Sequence, residues 1–142
     1  LFGTLPGIYY GWPKNELHWR GIDNSIVDIA LTCTPELAIV DGVVGMEGDG
    51  PLNGVAKPFG ALVMGHDLVA VSEIEPRAAD AACARLMMFD PHRMGYLVLG
   101  AMKHLGRLNV HEIPQLGEAI DSLAQPFDAV PHLANLRLKF AT

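Results

Sequence analysis

The sequence predicts an α/β domain with a mixed, largely parallel sheet flanked by helices. Two short, continuous apolar runs, "LAIVD" at 37–41 and "GALVMG" at 60–65, have the length and β-branching of strands buried on both faces. Segments of helical period alternate with them, at 22–33, 75–89 and 91–106. The chain has 142 residues, half of them hydrophobic, and a mean hydropathy of +0.24. That is enough for a single domain, 1–142, with its own core.

Residues 1–21 open the chain as an irregular aromatic segment punctuated by Gly3, Pro6, Gly7, Gly11 and Pro13. Tyr9, Tyr10, Trp12 and Trp19 either cover a core edge or line a pocket, with core cover favoured because large aromatics bury area first. The chain starts without Met and without a regular element, and it reads like the middle of a longer protein. The next segment, "IDNSIVDIALTC" (22–33), has cap candidates in Asp23, Asn24 and Ser25, and it places Ile22, Ile26, Ile29 and Ala30 on one face. Thr34-Pro35 ends it.

After the two apolar runs, "LVAVSEI" (68–74) is a short strand or a helix start. "EPRAADAACARLMMF" (75–89) is the clearest helix, with Pro76 in its first turn and Ala79, Ala82, Cys83 and Leu86 on one face. Asp80 falls on its polar side. Asp90-Pro91 breaks this helix, and 91–106 forms another, with Lys103 and His104 in its last turn and Gly106 at C′. "NVHEIPQLG" (109–117) resembles an edge strand, because Pro114 cannot donate to a ladder.

Charge and composition narrow the function. A net charge of −6 without any Lys/Arg cluster speaks against nucleic acid. The apolar runs are too short for a membrane span, which takes about 20 residues. No leader pattern opens the chain. Cys33 and Cys83 sit among apolar residues outside any CxxC and read as two buried, reduced thiols of a cytoplasmic protein, with a disulfide as the lesser option.

The chemistry concentrates in "IVDGVVGMEGDGPLNG", residues 39–54. On this reading Asp41 ends a buried strand and a glycine-rich loop follows. Ligands bind outside such strand ends in open α/β sheets. Gly42, Gly45, Gly48 and Gly50 would expose backbone N–H groups able to cradle an anion. Asp41, Glu47 and Asp49 would alternatively hold Mg²⁺ or Mn²⁺ through carboxylate oxygens. Ordinary turn chemistry explains the same residue types. "MGHD" repeats the pattern, and His66 and Asp67 become candidates for acid–base work on the same crevice. Lys14 and His18, between tryptophans, could face a substrate carboxylate or phosphate, against a solvated loop as the plainer option.

"AIVDGVVGMEGDGP", "KPFGALVMGHDLVAV" and "AADAACARLMMFDPHRMGYL" together resemble the domain of unknown function 362 family. Asp41, Gly42, Gly45, Met46, Glu47, Gly48, Gly50 and Pro51 carry the first motif. Gly65 and Asp67, then Asp80 and Ala81, then Asp90 and Pro91, carry the rest. The resemblance covers about residues 1–105 and implies an uncharacterised protein, some of whose relatives bear a ferredoxin-like iron–sulfur module. Two cysteines cannot hold such a cluster, so none is expected in this chain. "SEIEPRAA" is an insertion relative to the family pattern, and the family's upstream half, with its Lys/His-bearing segment, is missing. The expectation is therefore a fragment or C-terminal half. Three roles compete: a polar-ligand or metal site for a small molecule, a non-catalytic accessory module of a redox-associated protein, and an assembly half-domain. A homo-oligomer or the missing N-terminal half would cover the aromatic start.

Overall fold

A computed structural model describes residues 15–33, 37–65 and 79–139. The described elements are α1 (Asn15–Trp19), α2 (Ile22–Thr32), β1 (Ala38–Asp49), β2 (Asn53–Gly65), α3 (Ala79–Leu86), α4 (Gly95–Met102) and α5 (Ile120–Leu123). Short 3₁₀ turns occur at Pro91–Arg93, Val110–Glu112 and Pro131–Leu136.

The expected parallel sheet is replaced by a two-stranded antiparallel hairpin, β1–β2, among helices, an α+β arrangement. The physical reason lies in the glycine-rich stretch. It is extended rather than looped, so β1 runs on through Gly42, Gly45 and Gly48 to Asp49. The chain reverses only at residues 50–52, beside a cis Gly50–Pro51 bond, and Asp49 pairs with Asn53. Ala38 then pairs with Gly65 at the far end. The runs at 37–41 and 60–65 are thus the two paired arms at the base of one hairpin. A reversal this short permits only antiparallel pairing; a parallel pair needs a crossover of a dozen residues or more.

A bulge interrupts the ladder. Between the pairs Gly42/Ala61 and Val44/Pro58, β1 has Val43 alone while β2 has both Phe59 and Gly60. Gly60 takes φ +81°, the left-handed conformation that such a bulge needs and that costs glycine nothing. Cover switches sides here. Ala38, Val40 and Gly42 are shielded at the base of the hairpin, then Gly45 and Glu47 near its tip.

The helices make the core. α2 packs on α4, with Val27, Ala30 and Leu105 buried against Leu99. A second cluster joins Ala81 and Ala84 of α3 to Leu97 and Ile113. Helix α2 starts where the sequence places it, but Ser25 does not cap it. The Ser25 hydroxyl donates to the carbonyls of Leu17 and Gly21 at 2.9 and 3.0 Å, tying α1 to α2. The buried face comprises Ser25, Val27, Ile29 and Ala30, and Ile22 is exposed. Helix α3 follows the expected 75–89 segment from Ala79, residues 75–78 lying outside the described set.

Two elements differ from expectation. The 91–106 helix is broken. The Asp90 carboxylate accepts from the His92 N–H at 3.0 Å and starts a 3₁₀ turn, and α4 begins only at Gly95. His104, at φ +59°, takes the left-handed position expected of Gly106. The edge strand at 109–117 is absent. The Asn109 side chain accepts from the His111 N–H at 3.2 Å, and this local turn captures the backbone as 3₁₀. The 68–74 segment lies outside the described residues.

Candidate functional site

Near the hairpin tip, β1 turns one side of the glycine-rich motif toward the chain's own residues 125–128. Gln125 and Phe127 donate backbone N–H groups to the carbonyls of Leu86 and Met87, so this segment starts from the end of α3. It then crosses the hairpin. The Gly48 N–H donates to the Asp128 carbonyl at 2.9 Å, and the Asp128 N–H donates to Glu47 Oε2 at 3.0 Å. The same Glu47 oxygen receives Lys57 Nζ at 2.8 Å. Lys57 also donates to the Pro126 carbonyl at 2.5 Å and stands 4.9 Å from the centre of the Phe127 ring. Phe127 is 5% exposed and meets Phe59 edge-on at 5.7 Å. Arg137 adds an ion pair to the Asp128 carboxylate at 3.2 Å.

Each motif residue has a local reason. A Cβ at Gly45 would fall 2.7 and 2.9 Å from two Phe127 ring carbons, so only glycine admits the ring. Glu47 is the acceptor that binds both strand β2, through Lys57, and the crossing segment, through Asp128. The Lys57 bond first, and the Asp128 N–H second, hold the Glu47 carboxyl below its ordinary pKa.

The three carboxylates expected to share a cation are not brought together. Asp41 is exposed and accepts locally from the Val43 N–H at 3.0 Å. Asp49 faces Asn53 across the turn, 3.4 Å away. Asp49 lies eight residue steps beyond Asp41 along β1, up to about 26 Å at 3.3 Å per step. Among the described residues no three His, Cys, Asp or Glu side chains cluster closely enough to hold a metal. The glycines expected to form an anion cradle are also engaged otherwise: Gly42 and Gly45 sit in the ladder, the Gly48 amide is bonded to Asp128, and Gly50 enters the turn. His18 lies exposed on α1. Lys14, His66 and Asp67 lie outside the described residues. The crevice once expected between Asp41 and Asp67 assumed parallel neighbours, and β1 and β2 are antiparallel.

Sequence reasoning missed a second cluster. Asp80 is half-buried and bonded to Tyr96, and burial chiefly raises its pKa. Burial, then the Asp80 charge, push the Cys83 thiol up to about 11. Tyr96 is raised for the same two reasons in the same order. Such a thiol stays protonated at neutral pH and is a poor nucleophile. The signal available was Asp80 itself, a carboxylate within an alanine-rich helix.

The family match falls on these elements. Residues 1–85 match the family described as a domain of unknown function, DUF362. The chain belongs to this family. The match takes in the whole hairpin and most of α3, and so the Glu47 and Lys57 pair. This DUF362 chain is also 32% identical over 132 residues to the thylakoid-associated protein sll1697 of Synechocystis, a match covering 92% of the chain and 36% of that relative. The chain therefore spans little more than a third of the relative's length. No solved structure gives a significant match. Among the described residues no helix is long and apolar enough to cross a membrane.

Proposed function

We propose that this DUF362 chain is a non-catalytic assembly module, one whose hairpin packs against further parts of a longer polypeptide. One observation carries the reading: the hairpin presents an uncovered apolar face at its base. The cross-strand pair Ile39 and Met64 is 62% and 71% exposed, and Leu62 beside them is 65% exposed. Such an apolar patch, edged by the exposed Asp41 opposite Leu62, is costly in water and usually marks a contact face. The most polar part of the motif is meanwhile occupied by internal bonds, which supports a scaffolding role for Glu47 over a ligand role. The share of the relative's length that the chain covers fits the same reading.

Both thiols are free, and Cys33 is exposed rather than buried as expected, while Cys83 is partly buried. With two cysteines in all, an iron–sulfur cluster would need ligands from outside this chain.

Hydroxyl-radical footprinting tests the proposal. Ile39, Leu62 and Met64 should label readily in the 142-residue chain and be shielded in the full polypeptide encoded by the gene. Equal labelling in both would refute it.

A further inference from the structure

The outer edge of β2 offers a second contact surface, resting on the assembly function proposed above. Residues 60–65 line an apolar groove of about 430 Å³. Six consecutive β2 residues border it and none from β1, so it runs along the edge turned away from the hairpin partner. Ala82 and Leu86 of α3, with Ile113 and Leu116, form the apolar part of the facing wall, and Gln115 and Glu118 add polar groups to it. Among the described residues β2 has one ladder partner, β1, so this edge is a row of backbone donors and acceptors without a strand to pair with. Exposed edges are ordinarily guarded by a charge, a proline or a bulge. "GALVMG" has neither charge nor proline along its length; the bulge reaches only its first residue, Gly60, and the guards Lys57 and Pro58 lie past that bulge.

The wall selects the occupant. A lone strand needs only the ladder spacing of about 4.8 Å to β2. The relative is nearly three times as long as the stretch matched here, which leaves ample chain to supply a strand.

We propose that the β2 edge at Gly60–Gly65 takes an extended, uncharged strand from the part of the polypeptide outside these 142 residues, making the hairpin a three-stranded sheet. Main-chain bonds would give the affinity and the apolar wall the selection.

Hydrogen exchange tests this. In the full polypeptide the outward amides of 60–65 should exchange at least about 100-fold more slowly than in the 142-residue chain, as expected of amides entering a stable ladder. Ala82→Arg, on the facing wall, should remove that protection. The wild-type comparison decides the matter even if the variant does not fold. Unchanged exchange at 60–65 with Ile39 and Met64 shielded would overturn the added strand and leave the assembly reading standing. Unchanged exchange with both side chains still labelling would overturn both. Protection that grows with concentration in the 142-residue chain, at the mass of a dimer, would assign the edge to a second copy and overturn the proposal.

Discussion

Glu47 of β1 and Lys57 of β2 meet across the hairpin at 2.8 Å, and both also bind the crossing segment, Glu47 through the Asp128 N–H and Lys57 through the Pro126 carbonyl. Two strands and a segment 69–81 residues distant in sequence are thereby joined by one ion pair. Four measurements test this arrangement, the half-buried Asp80 and the spacing of the β1 carboxylates.

Glu47→Gln should abolish an acid-dependent part of the stability. The Glu47 pKa is lowered in the folded chain from an ordinary 4.5. The folded state therefore releases this proton more readily than the unfolded one. Its stabilisation is complete above pH 4.5 and is lost as pH falls through the lowered value. Melting temperature against pH should fall steeply on the acid side in the wild type and less steeply in the variant. Parallel curves would show that Glu47 contributes nothing pH-dependent.

Gly45→Ala should destabilise the chain by about 1–3 kcal/mol, the usual cost of forcing extra volume into a packed site. The added methyl meets the Phe127 ring at 2.7 Å. Phe127→Leu in the same chain should recover part of the loss, because the clash is with the ring itself. Urea denaturation of the two single variants and the double variant checks this, and simple additivity would contradict the contact.

Asp80→Asn should act in the opposite sense to Glu47→Gln. Burial raises the Asp80 pKa above 3.8, so the folded state favours the protonated form. That contribution is present below pH 3.8 and is lost as pH rises through the raised value. Asparagine stays neutral and can still accept from Tyr96. The variant should melt higher than wild type at pH 7, with the gap closing as pH approaches 3.8. A lower melting temperature at pH 7 would mean that the charged Asp80–Tyr96 bond outweighs its burial.

Mg²⁺ and Mn²⁺ at millimolar concentration should leave the melting curve unchanged. Asp41, Glu47 and Asp49 are spread along a strand, and a cation can join them only if the hairpin folds up. A cation-dependent rise that Asp41→Asn removes would show that these carboxylates do converge.

Much of the local structure was legible in the residues. The spacing of apolar positions placed α2 and α3, and β-branched runs marked both arms at the base of the hairpin. The motif around Glu47 already pointed to the family. Two elements misled because side chains competed for the backbone: Asp90 broke one helix early, and Asn109 turned a strand-like stretch into 3₁₀. The direction of the strands was not legible. Glycines at 42, 45 and 48 read as a loop, since their strand state depends on cross-strand pairing that local preference does not encode. Nor was the role of Glu47, whose partner Asp128 lies 81 residues away. The sequence by itself determined that 22–33 and the described part of 75–89 are helical and where the apolar runs start and stop, because those follow from side-chain periodicity and local backbone chemistry; it did not show α1 at Asn15–Trp19 or the break in 91–106. Only the tertiary structure decided that Gly45 makes room for Phe127, that Glu47 is a fastening and not a free ligand, and that Asp80 is half-buried, because each depends on which distant surface packs against it.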